Sequence, residues 1–215
     1  MTDILDKMDS ICEKGAISGA DNEFLVLQTS NPDVEIRAYA VQLLVRSNCD
    51  SAKKALLKLC GDYDELVRAN ACDSLCRYAK NDVYNRLLDC AVNDKSNLVK
   101  FYALSSAIDI MPCLKVDKNS LKDVFVSVGN TTDVPLRAVC FKGLIALGYD
   151  KYLCNLKELL SSEDYANRCA VVNVLGDLAE IGNYECISDI LKEHRNTETS
   201  VAVVSTIDNV LKNRK

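Results

Sequence analysis

The stretch Asp64-Glu65-Leu66-Val67-Arg68-Ala69-Asn70-Ala71-Cys72-Asp73-Ser74-Leu75 decides how the rest of the chain is read. An acid suited to capping a helix stands four residues before a basic residue. Ala71, Cys72 and Leu75 follow that base at three, four and seven positions, the buried stripe of an α-helix. The frame recurs as Asp33-Val34-Glu35-Ile36-Arg37, Ser96-Asn97-Leu98-Val99-Lys100, Asp133-Val134-Pro135-Leu136-Arg137 and Asp164-Tyr165-Ala166-Asn167-Arg168. From Arg37 to Arg168 the basic anchors lie 31, 32, 37 and 31 residues apart. A sixth, degenerate copy is Glu198-Thr199-Ser200-Val201-Ala202.

The columns behind the anchors are consistent. Three residues on stand Ala40, Ala71, Ala103, Cys140 and Val171; four on, Val41, Cys72, Leu104, Phe141 and Val172; seven on, Leu44, Leu75, Ala107, Leu144 and Leu175. Between anchored helices a shorter apolar helix is predicted at Ser51–Leu59, Asp82–Val92, Lys118–Val128, Lys151–Leu160 and Tyr184–Leu191. Each unit is therefore a helix, a tight turn carrying the acid, and a second helix. Fixed-period hairpins of this kind stack, because none buries its own apolar face alone.

This pattern resembles the HEAT repeat in its short form of about 30 residues. The resemblance spans residues 20–213 as six repeats, with residues 1–19 as an N-terminal cap whose helix covers 2–14. It implies an all-α, right-handed solenoid forming a single domain over 1–215, with the second helices lining a concave face. It also implies a ladder of charge-assisted hydrogen bonds between turn acids and helix bases of successive repeats: Asp33, Arg37, Asp64, Arg68, Lys100, Asp133, Arg137, Asp164 and Arg168. Ser96 replaces the acid in the third copy, Asn167 the apolar residue in the fifth, and Ala202 the base in the sixth. Pro112, in the insert Met111–Asp117 that lengthens the third step, cannot continue a helix and marks a widened junction.

Composition narrows the function classes. Eight Gly and three Pro in 215 residues are too few for the turns of an all-β fold. A net charge of −5 and the absence of Trp argue against a nucleic-acid binder, and no apolar run reaches the ~18 residues of a membrane span. Eleven cysteines, an odd number, beginning from an acidic helical start rather than a signal peptide, point to a reducing, cytoplasmic setting. Cys72 and Cys76 have the helical spacing of a thiolate pair, and Cys60 and Cys90 flank them. Their columns hold Val, Leu, Ile and Phe elsewhere, so the thiols read as small buried hydrophobes and no metal is expected. Cys113 is the thiol expected at the surface. The single histidine, His194, reads as a solvated helix-end residue, leaving no catalytic triad. Gly143, Gly148, Gly176 and Gly182 read as close helix contacts or helix ends.

Offsets two, five and nine from the anchors face the groove. They supply Tyr39, Gln42 and Arg46, then Asn70, Asp73 and Arg77, then Tyr102 and Asp109, with Lys142 and Asn173 further on. Tyr and Arg are residue types that anchor protein interfaces, although an ordinary polar helix surface would look the same. With helices ~9–10 Å apart the groove would run roughly 50–60 Å, room for ~15 extended residues. The expectation is a non-enzymatic module binding a protein or peptide, with no cofactor and no small-molecule substrate. Two alternatives remain open: an enzyme on HEAT-like repeats, excising alkylated DNA bases or attaching bilins, and a small inhibitory or immunity protein. The second draws on an acidic start, where Asp3, Asp6, Asp9, Glu13, Asp21 and Glu23 face Lys7 and Lys14.

Overall fold

The computed structural model describes residues 2–212. The outermost ends of the expected cap and sixth repeat, residues 1 and 213, lie outside them. Among the described residues there are thirteen α-helices and no strand. Helix α1 (Thr2–Glu13) stands alone at the start, and six hairpins follow. They are α2 (Gly19–Gln28) with α3 (Val34–Leu44), α4 (Asp50–Leu59) with α5 (Glu65–Ser74), and α6 (Asn81–Asn93) with α7 (Asn97–Ile110). Then come α8 (Lys118–Val128) with α9 (Val134–Ala146), α10 (Tyr152–Glu158) with α11 (Tyr165–Leu178), and α12 (Tyr184–Arg195) with α13 (Val201–Lys212).

Local chemistry sets the boundaries. The carboxylates of Asp33, Asp64, Asp133 and Asp164 each accept a hydrogen bond from an amide in the first turn of the helix that follows. Ser18 and Asp21 form a reciprocal capping box on α2, tightened by Lys14. Pro135 occupies the first turn of α9, where its missing N–H costs nothing. Pro112 falls in a 3₁₀ turn, Met111–Cys113, that closes α7. Gly148, at φ +96°, turns the chain out of α9 in a backbone region that side chains with a Cβ rarely adopt.

The chain forms two compact units that divide between Val116 and Asp117, inside the Pro112 insert. In the first, α1, α3, α5 and α7 pack in sequence as one layer while α2 packs on α4, and each hairpin closes on itself. In the second, α9, α11 and α13 pack in sequence, with α8 and α10 against α9 and α12 against α11 and α13. The stripe columns form the core: Ala40, Val41, Leu44, Ala71, Cys72, Leu75, Ala103 and Leu104 are completely buried, each large aliphatic side chain contributing about 1.5–3 kcal/mol. Phe141 departs from its column. It is half-buried and stacks on Tyr152, its ring centroid 5.8 Å away. Gly143 lies under Phe125, whose ring atoms would be 2.4 Å from a Cβ at that position. Gly176 meets Val210 in the same manner at 2.9 Å, so close helix approach accounts for both glycines. No described helix is long and apolar enough to cross a membrane.

Candidate functional site

The anchor arginines organise the turns. Arg37 donates from Nε and Nη2 to the two oxygens of Asp62, at 2.9 and 3.0 Å, and from Nη1 to the carbonyls of Asn31 and Pro32. Arg68 repeats this geometry on Asp94, at 2.8 and 3.0 Å, and on the carbonyls of Asp62 and Tyr63. Arg168 repeats it on Glu198, at 2.7 and 2.8 Å, and on the carbonyls of Ser162 and Glu163. Each fork thus ties its own turn to the turn of the next repeat. Such bidentate charge-assisted bonds are the strong ones.

The acids are not the expected ones. Asp64 and Asp164 turn their carboxylates onto their own helix amides, as Asp33 and Asp133 do, which keeps them from the neighbouring arginine. The receiving acid stands two residues before the cap. Asp62, Asp94 and Glu198 each also accept the backbone N–H of the cap residue: Asp64, Ser96 and Ser200. Asn31 and Thr131 make the same local bond in their repeats. The whole column, Asn31, Asp62, Asp94, Thr131, Ser162 and Glu198, carries an acceptor oxygen, and this is the signal by which sequence reasoning could have found it. Where the column holds Ser162 no carboxylate is available, and Arg137 lies instead 5.9 Å from the Phe141 ring centroid. Lys100 makes no ion pair among the described residues. His194, expected to be solvated, is only 19% exposed at its side chain, with Nε2 3.0 Å from Glu198. The Arg168 guanidinium and the Ser200 amide help hold the Glu198 carboxyl down at about 2.

The expected groove residues divide into two kinds. Tyr39 donates to Asp9 at 2.8 Å, and Arg46 donates to the carbonyls of Ile11, Cys12 and Lys14 at the end of α1. These two side chains therefore hold the first helix in place. Lys142 is buried and donates to Asp177 across α9 and α11 at 2.8 Å. Gln42, Asp73, Arg77, Asp109 and Asn173 are exposed, and Asn70 and Tyr102 are half-buried. On the first unit, α5 and the 3₁₀ turn behind it bring Asn70, Asp73 and Arg77 onto one face, beside Tyr102 and Asp109 on α7. Desolvation raises the Asp73 carboxyl above its ordinary range, and the Asp109 charge adds to the effect. That face offers a carboxylate, a guanidinium, an amide and a phenol, the mixed donor and acceptor set of a protein-binding surface.

The cysteines follow the packing reading in part. Cys60, Cys72, Cys90 and Cys140 are buried, Cys76 and Cys169 half-buried, and Cys113 is exposed together with Cys12, Cys154 and Cys186. Cys76, at the helical spacing from Cys72, lies outside the sulfur cluster. Cys60, Cys72 and Cys90 are the three that meet.

Residues 22–107 match the family described as HEAT repeats. The fold is similar to a chain in the complex of CpcE and CpcF of phycocyanin lyase from Nostoc sp. PCC7120, with TM-score 0.50 and 15% identity over 94% of this chain and 96% of that one. It is also similar to a chain of the S. pombe condensin Cnd3–Cnd2 subcomplex, with TM-score 0.52 and 20% identity over 90% of this chain and 27% of that one. At such identities the likeness concerns the fold. No curated protein matches the sequence. The repeat spacing, the stacked hairpins and the forks of Arg37 and Arg68 agree with that match, and residues 22–107 belong to the HEAT-repeat family.

Proposed function

We propose that this chain is a non-enzymatic interaction module that binds a protein or peptide through the α5–α7 face of its first unit. The observation that carries the reading is chemical. Asp73 and Arg77 are exposed and make no ion pair with each other or with any other described residue, whereas Arg37, Arg68, Lys142 and Arg168 on the anchor helices are used internally. The two neighbours named above come from protein complexes, which supports a protein partner. Gln42, Asn70 and Tyr102 extend the surface. Tyr39, Arg46 and Lys142 are left out because their polar atoms are engaged within the chain.

The test is capture from the protein's own cell extract, comparing the natural chain with an Asp73→Ala, Arg77→Ala, Tyr102→Ala variant. Recovery of a specific partner should fall at least tenfold while helicity is unchanged, since exposed interface anchors cost upward of about 1 kcal/mol each. Equal recovery by both proteins contradicts the assigned face. A second reading, participation in bilin attachment, draws on the likeness to the phycocyanin lyase chain. It predicts a shift in absorbance when a bilin is added to the purified protein, and the interaction reading predicts none.

A further inference from the structure

The core of the first unit contains a feature that packing alone does not require. Cys60 at the end of α4, Cys72 within α5 and Cys90 near the end of α6 place their sulfurs within 4.8 Å of one another. The Cys60 and Cys72 sulfurs are 3.9 Å apart, and the three residues are 2%, 0% and 4% exposed. At the position of Cys72 the other repeats carry Val41, Leu104, Phe141 and Val172, so an aliphatic or aromatic side chain serves the core there. Three thiols from three helices meet in this one layer.

An ion at the centre of a triangle with edges of 4.8 Å would lie about 2.8 Å from each sulfur, within roughly half an ångström of a metal–thiolate bond of about 2.3 Å. No described His, Asp, Glu or fourth Cys joins the group. The closed four-ligand set of structural zinc is therefore incomplete. Soft thiolates in a dry, apolar setting favour copper(I), which accepts three sulfur ligands. A cation is also at hand: Nη2 of Arg86 sits 3.4 Å from where a Cβ on Gly61 would lie, next to Cys60. Gly61 is exposed, so this edge gives the shortest way in.

We propose that Cys60, Cys72 and Cys90 form a three-coordinate thiolate site for a soft monovalent metal ion of the copper(I) class. Binding replaces thiol protons by the ion and releases them to solvent. No electron is transferred, so the metal must arrive as copper(I).

The experiment uses the full chain, kept reduced and anaerobic, with the exposed Cys12, Cys113, Cys154 and Cys186 changed to Ser. Copper(I) is titrated against a chromogenic copper(I) chelator. The proposal expects one equivalent retained, with a near-ultraviolet thiolate-to-copper band and a three-sulfur shell by X-ray absorption. In the same background Cys72→Val, which restores the residue found in two other repeats, should weaken retention at least a hundredfold with helicity preserved. If that variant does not fold, Cys90→Ala is read instead. Equal retention by parent and variant overturns the site. So does a preference for zinc(II) over copper(I) at one equivalent. Loss of partner capture, the test of the α5–α7 face, is independent of either result.

Discussion

An arginine carries five donors in a rigid fork, and Arg37, Arg68 and Arg168 spend theirs on two turns at once. Arg68 and Asp94 are 6% and 9% exposed at their side chains, so either left alone is a buried uncompensated charge. Asp94→Ala should cost about 3–5 kcal/mol in denaturant unfolding. Asp64→Ala, which removes only a helix cap, should cost about 1 kcal/mol. Equal losses would mean that the two acids do not divide the labour as described. The ladder also has a pH signature at Glu198. Its folded carboxyl lies near 2 against an ordinary 4.5, so the native state favours its ionised form. The stability it contributes is complete above about pH 4.5 and is lost as pH falls toward 2. Glu198→Gln should flatten the acid limb of the unfolding curve in that window, and an unchanged limb would argue against the pairing with Arg168.

At the scale of the helix, much was legible because the repeat supplies its own controls. The columns after each anchor located the buried stripe, and Lys118–Val128 and the start of α12 at Tyr184 fall where the periodicity put them. What was not legible depended on side-chain direction. A turn acid can either cap its own helix or reach the next repeat, and spacing alone does not separate the two. The register of α1 against α3 likewise fixed the fate of Tyr39 and Arg46, which nothing within their own helix reveals. Single columns place Cys72 and Cys140 in the core but not Cys76 or Cys169, and the meeting of Cys60, Cys72 and Cys90 is a property of three helices together. A prediction belongs here as well. Gly143→Ala places a methyl group into the Phe125 ring between α8 and α9, and should destabilise by about 1–3 kcal/mol despite alanine's better helix propensity. A neutral or stabilising result would show that the two helices can separate at little cost.

Over the whole molecule, the insert that lengthens the third step is also where the chain divides into its two compact units. Lys115 lies there, exposed and outside any helix, in a longer connection than the short turns that hold Lys14, Lys80 and Lys95, while the remaining lysines of the first unit are within helices. Brief trypsin treatment under native conditions should cut first after Lys115, giving two fragments of similar size. A first cut inside α4, after Lys53 or Lys54, would contradict the division. The interaction face proposed for the first unit depends on its repeats keeping register, and register depends on each arginine holding the acid of the next turn. The most direct test of that dependence is a pair of double-mutant cycles measured by chemical unfolding, Arg68 with Asp94 and Arg68 with Asp64. The account predicts a coupling of about 2 kcal/mol or more for the first pair and less than about 0.5 kcal/mol for the second; a larger coupling with Asp64 than with Asp94 would contradict it.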